Sequence, residues 1–250
     1  MKTRIRSITR LPALATALSL IAMAGTCLSA TYQIVNIDFN GLRDGDAGHA
    51  GTYVGVSAAG TGTYFNGITA DSTLPGGGDD DNITVSASGL IDETGIVATT
   101  IAFSISPVGG DNESSQTFGP PSLYNDYIFN NGAGNNSPSG SPFTISGLGD
   151  SPTADVYFYL NSFNYLEGNP PGQISITGVV GNGVDGTYNG LSATAFLGVP
   201  VSGGSITGFF GSNGAQSVLG GLTVVTNIPE PSSLALLGLG VAGILLRRRR

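Results

Sequence analysis

Apolar and polar positions alternate along most of this chain. In "QIVNIDF" the residues Val35, Ile37 and Phe39 fall on one face. In "GIVATTIAFSIS" the same spacing collects Val97, Thr99, Ile101, Phe103 and Ile105. In "ADVYFYL" it turns Val156, Phe158 and Leu160 inward and leaves Tyr157 and Tyr159 opposite. A period of two is the signature of a strand with one buried face. The segments "GTYVGVS", "GTYFNGI", "NITVSAS", "SPFTISGL", "GQISITGVV", "LSATAFLGV", "GSITGFF" and "GGLTVV" read the same way. Roughly ten strands punctuated by Gly, Asn, Pro and Asp predict an all-β fold, a Gly-rich two-sheet sandwich or jelly roll. Between the two ends no stretch has the spacing of a long amphipathic helix, and no fixed-period repeat points to a solenoid. The run "NNGAGNNSPSGSP", Asn130 to Pro142, reads as a surface loop.

Two segments break the alternation, and both lie at chain ends. Lys2, Arg4, Arg6 and Arg10 precede the apolar "LPALATALSLIAMA", and small residues follow. That order predicts a signal helix over residues 1–30, cut by signal peptidase after Ala30, with Ala24 as the alternative. Cutting after Ala30 lets "TYQIVNIDFN" open the mature chain as a strand and removes Cys27, the only cysteine. At the other end, Ser232 to Leu246 is uncharged and Arg247, Arg248, Arg249 and Arg250 close the chain. At ~1.5 Å per residue such a helix spans roughly 22 Å, short of the ~30 Å hydrocarbon layer. It crosses by thinning the bilayer or by snorkelling of the arginines. The arginines hold the basic end in the cytoplasm as a stop-transfer signal, so the preceding chain lies on the far side. The expected organisation is a signal peptide at 1–30, an extracytoplasmic β-sandwich at 31–226 and a sorting segment at 227–250.

Pro229, Glu230 and Pro231 stand directly before the short span. Pro231 can open a helix, whereas Pro229 keeps the preceding backbone extended. Tripeptide, apolar span and basic tail, in that order at the C-terminus, resemble the PEP-CTERM sorting signal, also catalogued as the ice-binding-protein C-terminal domain. The resemblance implies recognition by an exosortase, cleavage, and transfer from an inner-membrane-anchored precursor to the cell surface, outer membrane or extracellular matrix. It covers only the last two dozen residues and leaves the activity of the remainder open. The segments "VNIDFNG", "GTYFNGI" and "GGLTVV" further resemble the β-sandwich passengers of this signal.

Composition narrows the body's partners. Residues 31–226 hold sixteen of the seventeen acidic residues against one base, Arg43, a formal charge of −15. Such a surface repels nucleic acid and anionic polymers and suits solubility outside the cell. Forty glycines, more than twice the usual share of about 7 %, fit a loop-rich β protein.

Catalytic patterns are absent from the sequence. The single histidine, His49, sits beside Asp44 and Asp46 without an evident nucleophile. Ser57 in "GVSAAG" has Ala59 where a nucleophile elbow needs glycine. The pairs Asp92–Glu93 and Asp111–Glu113 read as solvated turn residues rather than as an acid and a nucleophile facing each other across a glycosidic bond. No cofactor is expected, with one exception. Asp79, Asp80, Asp81 and Asn82 in "GGGDDDN" offer hard oxygens from a Gly-permitted loop and repel one another without a counter-ion, which makes them a calcium candidate. The loop around Asp44 and Asp46 is the second such candidate.

The expected function is therefore a structural or adhesive role at the cell surface or in the matrix, without catalysis. One alternative is a carbohydrate-binding module acting on extracellular polysaccharide. With no Trp, it would have to stack sugars on Tyr64, Tyr124, Tyr127, Tyr157, Tyr159 or Tyr165. A second alternative is a secreted hydrolase. Ice binding needs a regular Thr array, and along the sequence the threonines are scattered.

Overall fold

In the computed structural model the described residues are 31–41, 52–70, 83–108, 110–113, 123, 126–130, 140–160, 173–211 and 217–228. They are all β, with no helix among them, and Tyr32–Asn227 forms one compact unit. The expected signal helix and C-terminal transmembrane helix fall outside the described residues.

Among the described residues, thirteen strands make two sheets. They are β1 (Thr31–Gly41), β2 (Asn66–Ala70), β3 (Ile83–Ala87), β4 (Ala102–Val108), β5 (Gly110–Glu113), β6 (Asp126–Asn130), β7 (Ser141–Ser146), β8 (Thr153–Leu160), β9 (Gln173–Ile176), β10 (Val184–Tyr188), β11 (Leu191–Pro200), β12 (Ile206–Gly211) and β13 (Ser217–Ile228). The larger sheet has the order β10-β11-β8-β13-β1-β2, and β5 and β6 extend it from β13. The smaller has the order β3-β4-β7-β12-β9. Strands β1 and β2 run parallel, while the hairpins and meanders around them are antiparallel.

Alternation explains the layer between the sheets. Val35, Ile37, Phe39, Val156, Phe158, Leu222 and Val224 of the larger sheet face Phe103, Ile105, Phe143, Ile145, Ile174 and Phe210 of the smaller. Phe158 meets Phe143 across the gap at 5.5 Å and its own-sheet neighbour Phe196 at 5.9 Å, ring edge to ring face in the latter case. Phe39 meets Phe103 at 5.4 Å. Such tilted and edge-on pairs add to what area burial alone supplies.

The larger sheet is covered over part of its other face as well. Parallel strands cannot be joined by a tight hairpin, so the chain must cross over between β1 and β2. Residues 52–65 of that connection lie against the outer side of the sheet, where Phe65, Ala58, Leu123, Tyr159 and Ala193 form a second apolar cluster. We call 52–65 the strap. It corrects two expectations. "GTYVGVS" is no strand: Thr52–Ser57 has no ladder partner, and Val54 and Val56, the face alternation would bury, are 75 % and 41 % exposed. Tyr159, opposite to Phe158 as expected, is nonetheless fully buried, because the strap covers it.

Two further details depart from the alternation. Val97 does not share the face of Thr99–Ile105. It closes a turn in which the Asp92 N–H donates to the Val97 carbonyl, and its side chain is half exposed. The loop expected at 130–142 loses both ends to strands, since β6 runs to Asn130 and β7 starts at Ser141.

Candidate functional site

The strap is held by side chains that reach up from the sheet beneath it. Alternation puts Asn36 and Asp38 of β1 on the outer face, together with Tyr159 of β8 and Thr223 of β13, and all four are buried. The Ala58 N–H donates to the Tyr159 hydroxyl at 2.9 Å. The Thr223 hydroxyl donates to Asn36 Oδ1 at 2.8 Å, so the 2.6 Å contact between the Tyr159 and Thr223 hydroxyls has Tyr159 as donor. Asn36 Nδ2 completes the relay on the Tyr64 carbonyl at 3.0 Å. Every link is directional, as buried polar groups require.

Three more anchors fix the strap. Asp38 accepts the Tyr53 N–H at 2.6 Å. Asn189 Nδ2 donates to the carbonyls of Ser57 and Gly60, at 2.9 and 3.1 Å. Glu93 accepts the Gly62 N–H at 3.0 Å, while its own N–H donates to the Ile34 carbonyl at 2.9 Å. A Cβ at Gly60 or Gly62 would collide with the Glu93 side chain, so glycine is what permits this approach. Asn189 can serve because it sits with Gly190 in a two-residue hairpin turn, both with positive φ (49° and 86°), joining β10 to β11.

Electrostatically, the unusual group beneath the strap is Asp38. Burial pushes its carboxyl up from 3.8 to about 7, against the opposing pull of the Tyr53 N–H. The Tyr53 phenol is raised in turn by its own desolvation and by the Asp38 charge. At Asp92, desolvation is outweighed by hydrogen bonds from the Thr94 hydroxyl and the N–H groups of the 94–97 turn, and the carboxyl sits below the usual range. Asp92 is thus a turn residue and Glu93 a strap anchor.

The tyrosines proposed for sugar stacking are dispersed. Tyr159 is buried under the strap. Tyr157 is half-buried and packs edge-to-face on Tyr188 at 5.2 Å, and Tyr64 is 37 % exposed over Gly95. Tyr127 is half-buried on β6; Tyr124 and Tyr165 lie outside the described residues. A groove of about 400 Å³ runs between the edge strands β2 and β3. Its Asn66 amide is already spent on the Asn36 and Ile91 carbonyls and the Ile91 N–H.

The outer face of the smaller sheet carries a feature that the sequence does not display. Register places Ser86 opposite Ser104, Ser104 opposite Thr144, and Thr144 opposite Thr207. Thr177 follows, its N–H donating to the Thr207 carbonyl at 2.9 Å. Five hydroxyl side chains from five consecutive segments of the sheet therefore form one row. Threonines and serines scattered along the chain are gathered in space, which removes the argument from scatter.

The sequence-predicted candidates Asp79, Asp80, Asp81 and Asn82, together with Asp44, Asp46 and His49, lie outside the described residues. So do Ala24, Ala30, Pro229, Glu230, Pro231 and Arg247–Arg250. Among the described residues no group of three or more His, Cys, Asp or Glu could hold a metal, and no helix is long and apolar enough to cross a membrane. The last described strand, β13, runs to Ile228 and so ends directly before Pro229.

A search of the curated proteins and a search of the solved structures each returned no match. Residues 227–250 match the family model of the PEP-CTERM protein-sorting motif. The β-rich body that precedes them is consistent with a passenger domain. The chain thus ends in a PEP-CTERM sorting motif, which marks it as an exported protein made as a membrane-anchored precursor and sorted by exosortase.

Proposed function

We propose that this protein is a structural or adhesive component of the cell surface or extracellular matrix, delivered there by its C-terminal motif and without catalytic activity of its own. The observation that carries the reading is the match over 227–250, which begins within the last two residues of β13. Its labour is divided. Ser232–Leu246 holds the precursor in the inner membrane and Arg247–Arg250 blocks its translocation. Pro229 and Pro231 keep the backbone at Glu230 out of a helix and open to the enzyme's cleft. At the other end, signal peptidase cleavage after Ala30 would leave Thr31, the first residue of β1, as the new N-terminus.

Replacing Pro229-Glu230-Pro231 by three alanines is expected to leave insertion intact and to retain full-length protein in the inner membrane. Deleting Arg247–Arg250 is expected to release uncleaved protein. Fractionation and intact mass in an exosortase-bearing host check both. A tri-alanine protein that reached the surface, cut where the parent is cut, would show the tripeptide not to be read.

A further inference from the structure

We propose that the outer face of the five-stranded sheet is an adhesion surface for a neutral, extended polysaccharide. The inference deepens the adhesive reading above and rests on it for the setting, an extracellular polymer.

The first ground is charge. The body carries −15, yet the outward positions of β3, β4, β7, β12 and β9 hold no charged residue among those described. Solvent faces of sheets ordinarily carry mixed charges, Lys above all at edges, to stay soluble and unpaired. Here Ser and Thr take those positions. An anionic polymer is repelled by the rest of the molecule, and a cationic one finds no carboxylate on this face. An uncharged polymer meets neither obstacle.

The second ground is geometry. The row Ser86, Ser104, Thr144, Thr207, Thr177 crosses four strand gaps, about 19 Å at ~4.8 Å each. Ser86, Thr207 and Thr177 are exposed, and Ser104 and Thr144 half-buried. The next row is Thr84, Ser106, Pro142, Phe209, Ser175, with the Thr84 and Ser106 hydroxyls 2.6 Å apart. Its centre is the exposed Pro142 ring against the half-buried Phe209 ring. Hydroxyls flanking a small apolar centre match a sugar polymer, which presents hydroxyl edges and C–H faces.

The third ground is the match of donors and acceptors. A hydroxyl gives one hydrogen and accepts through two lone pairs, so a Ser/Thr row meets a polyol in either sense. Each such bond in water nets little, because it replaces a bond to water. A short sugar would barely bind, whereas a long chain contacting the row at several points binds through their sum. A second copy of this protein would seek an apolar patch or a free strand edge, and this face is neither.

The test uses the full-length protein in detergent, incubated with washed insoluble cellulose, with an insoluble β-glucan, and with an anionic alginate gel. The parent is expected to be retained on at least one neutral polymer and not on alginate. Thr144→Glu, which puts a charge at the centre of the row, should weaken retention at least tenfold. Thr144→Ser, which keeps the hydroxyl, and Tyr157→Ala, on the opposite sheet, should not. Thr207→Lys at an exposed position is the second variant should Thr144→Glu fail to fold, and circular dichroism checks each. Absence of retention on both neutral polymers, preference for alginate, unchanged binding by the charged variants, or a loss in Tyr157→Ala instead would each overturn the proposal. So would arrest of ice growth without polymer retention, which would assign the row to ordered water. Retention is read on purified protein and sorting on fractionated cells, so either reading can fail without the other.

Discussion

Asp38→Asn is expected to make the protein more stable at pH 8 than its parent, and to flatten the dependence of stability on pH between about 4 and about 7. Asp38 is 2 % exposed and lies beneath the strap. Burial raises it from 3.8 to about 7 in the fold. Between those values the folded protein keeps a proton that the unfolded chain has released. Stability therefore falls as pH rises through this window, and levels off above it. At ~1.4 kcal/mol per decade of separation, the loss is at most about 4 kcal/mol. Asparagine keeps an oxygen for the Tyr53 N–H and carries no charge, so the loss disappears. Urea unfolding of both proteins at pH 5 and pH 8 measures it. The variant should gain most at pH 8 and less than half as much at pH 5, which lies only about one decade into the window. A parent as stable at pH 8 as at pH 5, with no gain in the variant, would mean that water or a cation reaches Asp38.

Asp92 works in the opposite sense. Its carboxyl is held below the usual range, so its contribution is present above that range and fades as pH falls through it. Asp92 is only partly buried, in a solvent-facing turn, and the effect is correspondingly small. The parent's pH profile should therefore be governed at the neutral end by Asp38.

How much of this was legible in the sequence follows from what each feature depends on. The strands between the sheets were legible because one face of each meets a single apolar layer: Val35, Ile37 and Phe39 point where alternation puts them. The strap was not. Its backbone groups are satisfied by Asp38, Tyr159, Asn189 and Glu93, residues up to 132 positions away, as in the Asn189–Ser57 bond. No local pattern records such partners. "GTYVGVS" shows the consequence, since its alternation is real but belongs to a segment crossing the sheet rather than joining it. The β10–β11 hairpin did carry a local signal, Asn189-Gly190 directly before the apolar run of β11, and that dipeptide also marks the residue that ties down the strap. β5 and β6 had little to announce them, "GDNE" being polar throughout. The sorting motif was fully legible because it is linear. The hydroxyl row was illegible for the converse reason. Its members come from segments 86 to 207, and only strand register makes them neighbours.

The adjacent pair Phe158 and Tyr159 lets the two covers of the larger sheet be weighed separately. Phe158 is fully buried between the sheets, against Phe143 and Phe196. Phe158→Ala is expected to cost about 3–5 kcal/mol, since it removes apolar area, opens a cavity and breaks two ring contacts. Tyr159→Phe keeps the ring against Phe65 but deletes the hydroxyl that accepts from Ala58 and donates to Thr223. That strands a buried N–H and one end of the relay to Asn36, at about 1–3 kcal/mol. The two should also differ in kind. Loss of Phe158 weakens the shared core, so all backbone amides should exchange faster together. Loss of the Tyr159 hydroxyl loosens only the strap, so amides such as those of Tyr53, Ala58 and Gly62 should exchange ahead of the β8 and β13 ladders. Hydrogen exchange read by mass spectrometry separates these outcomes. Uniform acceleration in Tyr159→Phe would show that strap and sheets open as one unit. The strap would then be part of the core's cooperative fold, and Asp38, sealed beneath it, would titrate only on global unfolding.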